Sequence, residues 1–192
     1  MYTFDNLEKS VLAITRLPAE EMAEFCGAAM PVECKKGQYL LREGEFCRRI
    51  WFVEKGYLRA YHTRDGLEIT TGLHLEGSFV TNQKSLLKDL PSESFLAAAE
   101  PAIVYEFSRE RMFSLYERFP RILDFGKRLL ETISIEQEEH LNLFRLYSAD
   151  ERYRHIRDTQ PELLQRIPLS WLSSYLGVAR ETLSRLRNKK TQ

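Results

Sequence analysis

The chain has 192 residues, 43% of them hydrophobic and 29% charged, which is enough apolar content for a real core in one domain or two small ones. Its 28 basic and 28 acidic side chains cancel, so any surface for a charged partner must come from local concentration of charge. No run of 18 apolar residues occurs, and the opening MYTFDNLEKSV carries an early acidic pair and no long apolar segment; a membrane helix and a secretory signal are therefore not expected, and the cytoplasm is the expected compartment.

Residues 5 to 29 read as helical. Asp5 is placed to cap a first turn, with Leu7, Val11 and Ile14 on one face. Leu17-Pro18 interrupts, and Pro18 suits the first turn of a second helix, whose Glu20 and Glu21 sit at its positive end and whose apolar side continues through Met22, Phe25 and Ala29. From about Val32 the pattern changes to short β-branched and aromatic runs punctuated by Gly37, Gly44, Gly56, Gly66 and Gly77. A hairpin is expected from Phe52-Val53 through Glu54-Lys55-Gly56 to Tyr57–Ala60, and a second from Tyr61 to Ile69 around Arg64-Asp65-Gly66, where Asp-Gly is a strong turn signal. Strands at this spacing over about 75 residues predict an antiparallel barrel or sandwich, whose interior is a natural small-molecule cavity.

Residues 108 to 118 read as a short helix capped by Ser108. Pro120 then opens a long helix to about Tyr147, about 27 residues or about 40 Å. Ile122, Leu129, Ile133, Leu143 and Tyr147 lie near heptad spacing, with Gly126, Glu136 and His140 at the remaining seam positions. One small domain does not cover a helix of that length, so it is expected to pack on its twin in a homodimer, Glu136 and His140 setting the register; the alternative is a helix that lies on the barrel. Ser148 followed by Glu151 has the capping-box pattern for a helix from Ala149 to Thr159. Tyr153, Ile156 and Leu163 are expected to face the two C-terminal helices. The domain boundary falls near residue 147, giving units 1–147 and 148–192.

The stretch Ile167 to Lys190 reads as two short helices. Leu169, Leu172 and Leu176 have helical spacing, Gly177 stands where a C-cap wants positive φ, and Val178 plugs the corner. The second helix, about Arg180 to Asn188, buries Leu183 and Leu186 and leaves Arg180, Glu181, Ser184, Arg185 and Arg187 on its other sides. Two such helices with Gly in the turn make a helix-turn-helix, whose second helix enters a DNA major groove. From Arg180 onward five cations stand against one anion, which would supply the salt-dependent part of DNA affinity; a solvated basic tail is the bland alternative.

The order of helices, Gly-punctuated barrel, long helix and helix-turn-helix resembles the cyclic-AMP receptor protein (Crp/Fnr) family of bacterial transcription regulators. The residues that carry it are KKGQYLLREGE, WFVEKGYLRAY, DGLE, the Gly77 region and, above all, LGVARETLSRLR. The fold class implied is α+β: an N-terminal cyclic-nucleotide-binding-like antiparallel β-barrel (jelly roll), a long dimerisation helix and a C-terminal helix-turn-helix. Arg180, Glu181 and Arg185 match the family's base-reading positions and Thr182 one that holds phosphate. Arg pairs bidentately with guanine and Glu accepts from cytosine; the alternatives are a phosphate contact for Arg180 and, for Glu181, a partner that fixes Arg185.

Two departures matter. The family's pocket uses Gly-Glu-Leu, whose Glu meets ribose, and an Arg-Ser or Arg-Thr pair, whose Arg meets the cyclic phosphate. The matching residues here are Gly77-Ser78-Phe79 and, in Pro91–Phe95, Ser92, Glu93 and Ser94, and no Arg lies between Arg64 and Arg109. A buried phosphate without its cation is not repaid for desolvation, so cyclic AMP is not expected as ligand. A Ser-lined, Phe-floored pocket holds another effector or is filled by its own side chains. The family also continues into a β-hairpin wing; this sequence ends at Gln192, and Lys189 and Lys190 are expected to supply phosphate contacts there.

Cys26, Cys34 and Cys47 are an odd set at wide spacing, without the clustered N-terminal cysteines of the family's iron–sulfur sensors, and are expected to be ordinary reduced thiols. A haem sensor would draw on His74 with Cys34 or Cys47. No nucleophile elbow, P-loop or metal-ligand spacing is present, so no enzyme, catalytic residue, metal or cofactor is expected. The expected partners are palindromic double-stranded DNA and a second copy of the chain, with RNA polymerase left open. The competing reading is a ligand-binding module whose helix-turn-helix contacts protein.

Overall fold

The computed structural model describes residues 3–188, so Lys189 and Lys190 lie outside the described residues. The chain forms two compact units, residues 1–62 with 72–132, and residues 63–71 with 133–192.

The first unit opens with α1 (Asp5–Ile14) and α2 (Ala19–Gly27). Asp5 is in the first turn of α1 rather than capping it: the cap position is Phe4, which offers no side-chain acceptor. Eight strands come next: β1 (Met30–Cys34), β2 (Tyr39–Leu41), β3 (Arg49–Lys55), β4 (Leu58–Arg64), β5 (Leu67–His74), β6 (Phe79–Val80), β7 (Phe95–Ala98) and β8 (Ala102–Ser108). They make two four-stranded sheets, ordered β1-β8-β3-β6 and β2-β7-β4-β5, with antiparallel pairing such as Phe52 opposite Tyr105 and Leu58 opposite Ala98. A short helix, α3 (Gln83–Lys88), interrupts between β6 and β7, and α4 (Arg109–Arg118) leads to α5 (Pro120–Leu146).

Alternation along the strands explains why two cores exist. Successive strand residues face opposite sides. Trp51 and Val53 join Cys34, Leu41, Leu58, Leu96 and Val104 in one core fed by both sheets. Phe52, between them, joins Phe79, Tyr105 and Phe107 in a second core covered by Leu7 and Val11 of α1, Phe25 of α2, Leu115 of α4, and Ile122 and Phe125 of α5. Each such aromatic or aliphatic side chain, fully buried, contributes about 1.5–3 kcal/mol of transfer free energy.

This pattern corrects the expected hairpin from Phe52 to Ala60. β3 pairs with β8 and β6, whereas β4 pairs with β7, so the turn at Gly56 carries the chain from one sheet to the other. Trp51, Phe52 and Val53 are all buried, so both faces of β3 are covered and its ladder partners come from distant strands. Gly56 has φ +81°, a Cβ there would lie 2.8 Å from Pro101 O, and its N–H donates to Glu76 Oε1 at 2.8 Å. The second expected hairpin is present as β4–β5. Asp65 (φ +53°) and Gly66 (φ +76°) both take positive φ, as a two-residue hairpin turn requires.

His74, at the end of β5, is held down to about 4 by burial, so its imidazole is neutral in the folded protein. A native pKa below the unfolded value stabilises the fold above the unfolded pKa, about 6.5, and that stability is lost as pH falls from there toward 4. Thermal melts between about pH 7.5 and about pH 5 should show a falling midpoint, with a shallower fall in His74→Gln.

Candidate nucleic-acid interface

In the second unit Ser148 and Glu151 form the expected reciprocal capping box at the start of α6 (Ala149–Thr159). A short α7 (Pro161–Arg166) comes next, then α8 (Leu169–Tyr175) and α9 (Arg180–Asn188). Tyr153, Ile156, Leu163, Ile167, Leu172, Leu176 and Leu183 are buried. The turn between α8 and α9 is a Schellman closure: Val178 N–H donates to Ser173 O at 3.0 Å and Gly177 N–H to Ser174 O at 3.1 Å. Gly177 has φ +61°, and a Cβ on it would lie 2.6 Å from Phe144 Cε1.

On α9, Leu183 is buried and Leu186 half-buried, which turns Arg180, Glu181 and Arg185 to solvent and leaves Thr182 and Ser184 half-exposed. Arg185 Nη2 donates to Thr182 Oγ1 at 3.4 Å, so Thr182, not Glu181, steadies it. Arg187 turns back and donates to Leu164 O at 3.2 Å, so part of the local basic charge is used inside the unit.

The long helix has the expected span but a different register. Ile122 is fully buried in the helix-covered core and Leu129 packs against that core. Leu143 is buried, Ile133 is half-buried, and the His140 ring stacks on Tyr175 at 4.6 Å. Burial lowers the His140 pKa and, with Glu136's charge adding, pushes the Tyr175 phenol up to about 12. Burial and then Glu139 raise Glu136. Of the stripe Ile122, Leu129, Ile133, Glu136, His140, Leu143, all but the exposed Glu136 are thus at least partly covered by the chain's own residues. The exposed Leu130 and Leu141 lie about 80–100° round the helix from Ile122 and His140, and the exposed Phe144 less far round. The reason is local: the apolar positions of the first half are needed to close the aromatic core.

The residues expected to line the pocket are engaged with one another. Asn82 caps α3, accepting from Ser85 N–H at 3.0 Å, while its Nδ2 donates to Ser92 Oγ at 2.9 Å and Ser94 Oγ at 3.3 Å. Ser92 Oγ donates to Ser94 O at 2.7 Å. Glu93 is exposed and pairs with Lys84 across the same loop; hydrogen bonding to Lys84 and then its charge lower the Glu93 pKa. Ser78 O accepts from Val53 N–H at 3.0 Å, and Gly77 has φ +86°. Phe79 is no pocket floor: it packs on Phe52 at 4.9 Å and Phe125 at 5.5 Å in the helix-covered core. Asn82, the hub of this network, was not singled out by the sequence pattern, although an Asn three residues before Ser85 is a cap signal.

Residues 31–119 match the family model for the cyclic nucleotide-binding domain. The chain is 25% identical over 190 residues to the transcriptional activator protein Anr of Pseudomonas aeruginosa, covering 91% of this chain and 75% of that protein. It is 28% identical over 165 residues to the fumarate and nitrate reduction regulatory protein of Vibrio cholerae, covering 79% of this chain and 65% of that one. In fold it is similar to FixK2 from Bradyrhizobium japonicum, with a TM-score of 0.71 at 19% identity over 84% of this chain and 83% of that one. Over most of its length the chain is thus similar to bacterial transcription regulators, and its residues 31–119 match a cyclic nucleotide-binding domain. It spans about two thirds to three quarters of the length of these curated relatives, which are transcription regulators, not enzymes.

An iron–sulfur cluster requires several thiolates converging on one site. The cysteines here do not fit one. Cys26 lies in the helix-covered core, 4.0 Å from Glu8 Oε1, and burial followed by Glu8's charge pushes its thiol up to about 11. Cys34 and Cys47 lie in the other core, Cys34 also raised by burial and Cys47 Sγ donating to Arg49 O at 3.3 Å. Packed among Leu41, Trp51 and Val53, neither opens to a haem, and His74 is not part of that core. No helix among the described residues is long and apolar enough to cross a membrane.

Asn82→Ala removes a helix cap and the donor to Ser92 and Ser94 together. It should lower stability by about 1–2 kcal/mol in urea unfolding.

Proposed function

We propose that the protein is a homodimeric, sequence-specific DNA-binding transcription regulator that does not use cyclic AMP. The observation that carries this is α9, which buries Leu183 and presents Arg180, Glu181 and Arg185 to solvent. Arg180 and Arg185 suit guanine O6 and N7, Glu181 suits cytosine N4, and Thr182 and Ser184 can donate to phosphate or base edges. Lys189 and Lys190 come next in sequence as phosphate contacts. Residues 148–192 serve as the reading head and residues 1–147 as the sensor with the long helix.

A dimer of this chain would use the exposed stripe of α5. Leu123, Leu130, Gln137 and Phe144 recur at sevens, with Ser134 and Leu141 between them. Two heads so related would read half-sites about one helical turn apart on a palindrome. The pocket supports independence from cyclic AMP: Ser78 replaces the ribose-binding Glu of the family pattern, and Ser92 and Ser94 are occupied by Asn82. RNA polymerase is the further partner that transcriptional activators among the relatives suggest, and the cytoplasm the compartment in which such a regulator works.

Selection of random-sequence DNA by the purified protein, with and without cyclic AMP, tests this directly. A palindrome should emerge in both arms. Recovery only with cyclic AMP would overturn the reading of the pocket. No enrichment and no salt dependence on non-specific DNA would favour a head that contacts protein. Arg185→Ala should cost about 1–3 kcal/mol on the selected site and relax the base preference at one position per half-site. Leu130→Asp with Leu141→Asp should shift the protein to monomer in sedimentation, leaving the melting of the β-sandwich in place.

A further inference from the structure

Arg152 is the fourth residue of α6, and all three of its guanidinium nitrogens donate to backbone carbonyls. Nε reaches Leu176 O at 2.9 Å, Nη1 reaches Tyr147 O at 2.8 Å and Nη2 reaches Gly177 O at 3.4 Å. Tyr147 stands just after the last residue of α5, and Leu176 and Gly177 are the cap and turn of α8. Both are helix C-termini, where carbonyls lack intrahelical partners and the helix dipole is negative. One planar cation therefore joins two helix ends. Its guanidinium also lies 5.3 Å from the Phe144 ring, the ring that fills the space a Cβ on Gly177 would need. His140 stacked on Tyr175 secures the same end of α8 from α5, and Ser174 Oγ accepts from Thr70 N–H at 2.9 Å.

We infer that Arg152 is a positioning residue for DNA recognition: it fixes the angle between the last turn of α5 and the α8–α9 turn, and so sets the half-site spacing the protein accepts. In this role it touches no DNA: three of its five N–H donors, at least one on each nitrogen, are engaged on carbonyls. The inference rests on the dimeric DNA-binding function proposed above. Lysine cannot substitute, since it is a point donor without a planar fork.

The test is binding of palindromes whose half-site spacing is varied by one base pair at a time, measured for wild type, Arg152→Ala and Arg152→Lys, with a salt titration of each. Wild type should prefer one spacing sharply. Both variants should lose about tenfold of that discrimination, the scale of one charge-assisted hydrogen bond, while the preferred half-site sequence and the salt slope stay as in wild type. Arg152→Lys keeps the charge and serves if Arg152→Ala does not fold. An unchanged spacing profile in Arg152→Lys overturns the inference, as does a variant that loses affinity equally at every spacing, which is the mark of a merely structural role. A shallower salt slope would make Arg152 a phosphate contact and overturn it too. Wild type with no preference for a palindrome would instead remove the function on which the inference rests.

Discussion

The close approach of Gly177 to Phe144 is the constraint on which the second unit depends. A turn that needs positive φ and tolerates no side chain puts the end of α8 against the last turns of α5. Once the two are that close, their terminal carbonyls come within reach of one donor, and helix-end carbonyls lack intrahelical partners. Arg152 meets that need from α6 with a single side chain. Leu172, Leu176 and Leu183 supply the apolar burial, but apolar burial is non-directional; the carbonyl contacts and the turn give the angle.

The first unit solves a related problem in another way. Hydroxyls and amides in a loop are expensive if buried without partners. Here Ser92 is almost fully buried, yet its hydroxyl accepts from Asn82 and donates to Ser94 O. Asn82 also caps α3, so one amide both starts the helix and ties it to the loop before β7. The loop is further braced from outside by Lys84 with Glu93, an exposed pair of small energetic weight. The side chains of Asn82, Ser92 and Ser94 are in this way satisfied by neighbours in sequence.

The parts legible in the sequence were those with local causes. The bounds of α8 and α9 came from leucine spacing and Gly177, the capping box from Ser148 and Glu151, and the β4–β5 turn from Asp65-Gly66. What escaped was decided at long range. The partner of β3 could not be read from its turn, because Trp51, Phe52 and Val53 are buried on both faces and a two-sided strand carries no alternation to fix a neighbour. The short β1, β6 and β7 were invisible for want of length, and α3 because so short a helix shows no clear period. For the site, α9 was readable as an amphipathic basic helix, whereas the roles of Arg152, Arg187 and Asn82 depend on which carbonyls and hydroxyls tertiary packing brings to them.

The register of α5 shows how far a heptad pattern alone can be trusted. Ile122, Leu129 and Leu143 have the spacing of a coiled-coil seam, but Ile122 joins Phe52, Phe79 and Phe107 in the aromatic core and Leu129 packs against it. Ile122 and Phe125 close that core from the first half of the helix. His140 stacks on Tyr175, while Leu130 and Leu141 are exposed. In the second half, His140 and Phe144, one turn apart, both face the end of α8, and these contacts rather than a repeat of seven set which residues are covered there.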